Sequence, residues 1–190
     1  MTIGYEEKKQ TEISERQKMK VEIDQSGKLE QLDTLTVIGF ANGKTDAVVL
    51  SVSTKRSLIA YLRKSLIPHK DILPVLFGVV IFMLIESQAK NIVVVIDEEY
   101  TGKDQVVRET LEKLLRNKFG TKWTRSIRFR RIGKPSPAHK LVWRLHRQKY
   151  KKGLRKLPAK EILKYFSSKK AGPLPSSPSA LTQGVRRSST

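Results

Sequence analysis

The chain has 190 residues, with 38 Lys and Arg against 18 Asp and Glu, a formal net charge of +20 and no cysteine. That length suits one domain with appended tails and a sizeable core. The missing thiols exclude a disulfide framework, a thiol nucleophile and a zinc–thiolate site, and they are compatible with a reducing cytoplasm. So large a positive excess favours polyanionic partners, nucleic acid first and anionic membrane second.

In chain order, residues 1–18 read as a polar N-terminal arm, and their opening "MTIGYEEKKQTE" lacks the apolar core of a signal peptide. "KMKVEIDQSG" alternates apolar Met19, Val21 and Ile23 with polar neighbours and predicts a strand ending near Asp24. "TLTVIGFANGKTDAVVLSVS" predicts two more strands joined at Asn42-Gly43, a pair that tolerates the positive φ of a tight hairpin.

Helical spacing begins after Thr54, in "TKRSLIAYLRKSL", and Pro68 is expected to end that helix. A second helix is expected from Asp71, with Pro74 in its first turns and apolar residues on every face. Its apolar core, Ile72 to Ile85, is 14 residues long, short of the roughly 20 that span a bilayer. "NIVVVID" is a β-branched run suited to a central strand buried on both faces.

"KDQVVRETLEKLLRNKFG" predicts an amphipathic helix with Val106, Val107, Leu111, Leu114 and Leu115 inward, Asp104 as its cap and Gly120 as its stop. "SIRFRRI" predicts a strand and "SPAHKLVWRLHRQKY" a last helix of the main domain, residues 19–152. Residues 153–167 read as a basic helical extension, and the Pro- and Ser-rich residues 168–190 as a disordered tail.

Against this basic background "VVVIDEEYTGKD" concentrates Asp97, Glu98, Glu99 and Asp104 at one strand end. Carboxylates at the end of a central strand stand where α/β sheets carry their sites. Asp24 in "DQSG" has an ordinary alternative as an Asx-turn residue.

Three leading strands followed by alternating helix and strand resemble the ribonuclease H-like fold, an α/β fold whose mixed sheet has helices on both faces. In that fold the first and fourth strands are neighbours, which implies that Asp24 and Asp97 converge as oxygen ligands for Mg²⁺ or Mn²⁺. Within the superfamily, "VVVIDEEYTGKDQVVRETLEKLL" and "KPSPAHKLVWRLHR" resemble the Piwi domain of Argonaute proteins, over roughly residues 19 to 150. The resemblance implies an Asp-Asp-His set, Asp24, Asp97 and His139, serving a metal-dependent phosphodiesterase. For a further acidic ligand it points to Asp71 near the start of the helix before the fourth strand, then to Glu86 at the far end of that helix. Glu98 and Glu99 are within reach from the loop, with alternation turning Glu98 away.

The chain is too short to hold the guide-binding domains of an Argonaute, so guided cleavage is not implied. In its general run it is similar to small archaeal exonucleases of this fold that trim single strands from the 3′ end.

The basic residues cluster with rings. Residues 125–134 and 144–156 set Arg128, Arg130, Arg131 and Lys134, then Arg144 and Arg147, beside Phe129, Trp143 and Tyr150. With Lys103 and Lys140 they form the expected surface for single-stranded DNA, with RNA as the alternative, because cations meet phosphates while bases stack on rings. The solvated face of a protein from a hot environment is the alternative, but that composition raises both signs together.

The expectation is therefore a divalent-metal nuclease acting on single strands, with homo-oligomerisation left open and no membrane partner. Its rival is a nucleic-acid-binding protein that retains the fold without the chemistry. An enzyme for small phosphorylated substrates is disfavoured by the lack of a glycine-rich phosphate loop.

Overall fold

The computed structural model describes residues 19–41, 44–87, 92–120, 127–148 and 154–167. The N-terminal arm, the Asn42-Gly43 turn, Tyr150 and the C-terminal tail lie outside the described residues. Strands β1 (Met19–Ser26), β2 (Thr36–Ala41) and β3 (Asp46–Leu50) lead into helix α1 (Val52–Leu62), a 3-10 turn (His69–Asp71) and helix α2 (Ile72–Ile85). Strand β4 (Ile92–Ile96), helix α3 (Asp104–Phe119), strand β5 (Ile127–Phe129) and helix α4 (Pro137–Arg147) follow, then strand β6 (Arg155–Lys156) and helix α5 (Ala159–Ser167).

These strands form one mixed sheet in the order β5-β4-β1-β2-β3-β6. β1, β2 and β3 pair antiparallel, whereas β1 with β4, β4 with β5 and β3 with β6 are parallel. The class is α/β. All five residues of β4 are buried, as a β-branched run between two parallel neighbours should be.

The two sheet faces carry different loads. Val21, Ile23, Ile38, Phe40, Val48, Leu50, Val94 and Ile96 pack with α1, α2, α3 and α5 in the main core. Every residue of α2 except Leu73 belongs to the buried set, and each such Leu, Ile, Val or Phe contributes roughly 1.5–3 kcal/mol on removal from water. The opposite face is a smaller cluster of Val37, Ala47 and Val49 under Val142 of α4.

Several helix ends differ from their predicted positions. Ser51 caps α1 by accepting from the Thr54 amide, so the helix starts before Thr54. It ends at Leu62, well ahead of Pro68. α3 begins at Asp104 itself, with Lys103 at the cap position and no side-chain cap bond, so Asp104 occupies the first turn instead of capping it. The segment after residue 153 is integral: Leu157 and Ile162 are in the main core, and the Leu157 amide donates to the Val49 carbonyl at 3.0 Å.

Two glycines set the fit of α4. Gly39 lies opposite Asp24, and a Cβ there would stand 3.0 Å from Val142, so its bare backbone lets α4 settle on the sheet. Gly27, just after β1, has φ +71°, and a Cβ would come 2.2 Å from the Leu35 carbonyl oxygen and 2.5 Å from His146 Nε2. Gly27→Ala is expected to cost about 2–5 kcal/mol, combining left-handed strain with overpacking. Urea unfolding measures this, and a loss under about 1 kcal/mol would mean that the β1–α4 contact is looser than described.

Candidate metal centre

Three carboxylates meet at one end of the sheet. β1 and β4 run parallel with Ile23 opposite Ile96, and the Asp97 amide donates to the Ile23 carbonyl at 3.0 Å. Asp24 and Asp97 are therefore neighbours on adjacent strands, on the same side of the sheet. Beyond Asp97 the Glu99 amide turns back to the Asp97 carbonyl at 2.9 Å. One carboxylate oxygen from each of Asp24, Asp97 and Glu99 lies within 4.8 Å of the others.

Each acid is held from a different direction. Asp24, only 1% exposed, accepts from the Gln25 amide at 2.6 Å, and its other oxygen lies 2.9 Å from His139 Nδ1. Asp97 Oδ1 accepts from the Ile132 amide at 3.0 Å, which draws the β5–α4 loop over the site. That loop is fastened twice more, by Arg130 donating to Glu22 at 2.5 Å and by the Ser136 hydroxyl donating to Glu22 at 2.8 Å. Ser136 also caps α4, accepting from the Ala138 and His139 amides, so buried Glu22 fixes where the helix that carries His139 begins.

The electrostatics of the group are unfavourable when it is fully ionised. Burial, then the Asp97 charge, push the Asp24 carboxyl above its ordinary range, against the pull of the Gln25 amide and His139. Glu99 is pushed up to about 7, first by burial and then by its two acidic neighbours. Behind it, the Gln25 side-chain carboxamide and the Tyr100 phenol are buried without completing a well-formed hydrogen bond. An all-oxygen, carboxylate-rich group matches the needs of a hard, partly hydrated cation such as Mg²⁺ or Mn²⁺.

The remaining predicted ligands have other partners. Asp71 is fully buried and pairs with Lys103 Nζ at 2.8 Å, tying the 3-10 turn to the head of α3. Glu86 pairs with Lys118 at 2.5 Å at the far end of α2. Neither is brought into the carboxylate group. Glu98 turns outward, 39% exposed and 3.7 Å from Arg131. His139 stands against Asp24 and not within the three-oxygen set, while His146, seven residues on, lies against Gly27.

The predicted strand-binding cations divide in the same way. Lys103 is engaged by Asp71 and Arg130 by Glu22; Arg131 is 91% exposed in its loop, and Arg128 and Lys134 are exposed near it. Lys140, Trp143, Arg144 and Arg147 share the exposed side of α4. The structural role of Glu22 escaped sequence reasoning, because its partners are 108 and 114 residues away. Its one signal was a shared alternation with Asp24. No protein-family model, no curated protein and no solved structure matches this chain.

Proposed function

We propose that this protein is a divalent-metal-dependent nuclease that hydrolyses phosphodiester bonds of single-stranded nucleic acid, single-stranded DNA trimmed from the 3′ end being the preferred substrate. The observation that carries this reading is the convergence of Asp24, Asp97 and Glu99 at the ends of two parallel central strands, in a chain of net charge +20. Support for a ribonuclease H-like arrangement comes from the first and fourth strands lying side by side with the β2–β3 meander beyond them. When bound, Mg²⁺ or Mn²⁺ supplies charge against the attacking water and the leaving oxygen.

The protein's own groups supply position. Asp24 and Asp97 present oxygens from a rigid sheet, and Glu99 closes the set from the loop. His139 orients the Asp24 carboxylate through its 2.9 Å contact, and a partner of that kind is typically worth 10- to 100-fold. The surrounding Arg and Lys hold the anionic strand near the acids, which would otherwise repel it.

End-labelled DNA and RNA strands incubated with Mn²⁺ should give a ladder of products, and EDTA should abolish it. His139→Ala should cleave about 10- to 100-fold more slowly, with His139→Asp retaining more activity than the Ala variant. Cleavage that continues in EDTA would refute the metal-dependent reading, and a wild-type rate in His139→Ala would remove that residue from the site.

A further inference from the structure

The surface of α4 carries an arrangement that the metal centre does not need. Residues four apart on a helix line up in one row, spaced by about 6 Å. One row runs His139, Trp143, Arg147, and it starts at the carboxylate group, because His139 touches Asp24. The adjacent row carries Lys140 and Arg144, both exposed and neither in an ion pair among the described residues.

Trp143 is 50% exposed, although its helix buries Ala138 and Val142 against the sheet. The Arg147 guanidinium stands 4.7 Å from the indole centroid, a cation–π contact that holds the ring in place. The platform beneath is rigid. Ser136 anchors the helix start on Glu22, and Gly39 lets Val142 sit close to β2.

We propose that α4 is a base-stacking track leading into the carboxylate site: Trp143 takes the face of an unpaired base adjoining the reacting phosphate, while Lys140 and Arg144 take flanking phosphates. This rests on the reading of Asp24, Asp97 and Glu99 as a phosphodiesterase centre. It adds a defined base subsite about one helical turn from His139. A paired base cannot offer its face to the indole, so the track selects single strands. An anionic membrane fits less well, since the apolar side of α4 faces the sheet and leaves only one large exposed ring, not the broad apolar face that interfacial helices insert.

The test uses the full chain with Trp123→Phe, leaving Trp143 as the single indole, in EDTA so that binding is read without cleavage. Short oligothymidylate and its RNA analogue should each quench Trp143 emission. A strand of abasic sites, a blunt duplex and anionic vesicles should quench little. In the chain that keeps Trp123, Trp143→Ala should weaken single-strand binding about 5- to 150-fold, with Trp143→Phe recovering most of the loss. Lys140→Ala and Arg144→Ala should each lower the salt slope by about 0.7, which Trp143→Ala should leave unchanged.

Equal quenching by the abasic strand, or a shift in Trp143 emission caused by vesicles alone, would overturn the proposal. So would Trp143→Ala binding like the parent. Because quenching is read without metal, it stands or falls separately from hydrolysis: base-dependent quenching with no metal-dependent cleavage would retain the track and reject the nuclease reading.

Discussion

Asp97→Asn should lower metal-dependent cleavage by 10²- to 10³-fold or more while leaving the fold intact. The Asn side chain keeps an oxygen to accept from the Ile132 amide, which Asp97 binds at 3.0 Å, so the β5–α4 loop has no reason to move. What is lost is one negative charge from a group whose oxygens lie within 4.8 Å of each other. The same deletion should make the metal-free protein more stable at neutral pH, since the Asp97 charge is part of what raises both Asp24 and Glu99. Asp24→Asn should act in the same direction on cleavage. Single-strand binding should be unchanged or slightly tighter in both variants, because a repulsive charge near the phosphates is gone. Cleavage at a tenth of the wild-type rate or better in both variants would place the reaction elsewhere.

The second large effect is a pH dependence that reverses sign with metal. Glu99 rises from an ordinary 4.5 to about 7 in the folded protein. Between those values the native state holds a proton that the unfolded state has released. Metal-free stability should therefore fall as pH rises from about 4.5 to about 7 and level off above it, by roughly 3 kcal/mol at most. A bound divalent cation favours the ionised carboxylates, so it should stabilise most at high pH and release protons on binding. Melting temperatures with and without Mn²⁺ at pH 5.5 and pH 8 read this directly. Glu99→Gln should flatten the metal-free profile and shrink the Mn²⁺ shift at pH 8. Equal Mn²⁺ shifts at both pH values in the wild type would show that ionisation of the acids is not linked to the ion.

Much of the fold was legible because its strongest patterns are local. The β-branched run of β4, the all-apolar α2 and the inward residues of α3 behave as their periodicity requires. Asp24 and Asp97 were within reach because each closes a readable β run, Asp24 inside β1 and Asp97 just after β4, and the parallel register that joins them comes with the strand order. Glu99 was harder to choose over Asp71 and Glu86, since it lies beyond the strand, where no period says which way a side chain turns. The amide turn back to the Asp97 carbonyl decides that.

Long-range pairing was not legible. Lys103 and Arg130 look like free cations in sequence, yet each answers a buried acid, Asp71 or Glu22. Likewise β6 is two residues long, too short for any alternation. Leu157 and Ile162 in the core, with Tyr165 and Phe166 packed against it, show that the basic segment around them belongs there.

The most direct measurement is Mn²⁺ binding followed by electron paramagnetic resonance at pH 8, comparing wild-type protein with Asp97→Asn and Glu99→Gln. The free-ion signal should be depleted by the wild type and far less by either variant, since each removes one of the oxygens that close the site. A wild type that leaves the signal intact at millimolar Mn²⁺, or variants that bind as tightly as the wild type, would contradict a cation site at Asp24, Asp97 and Glu99.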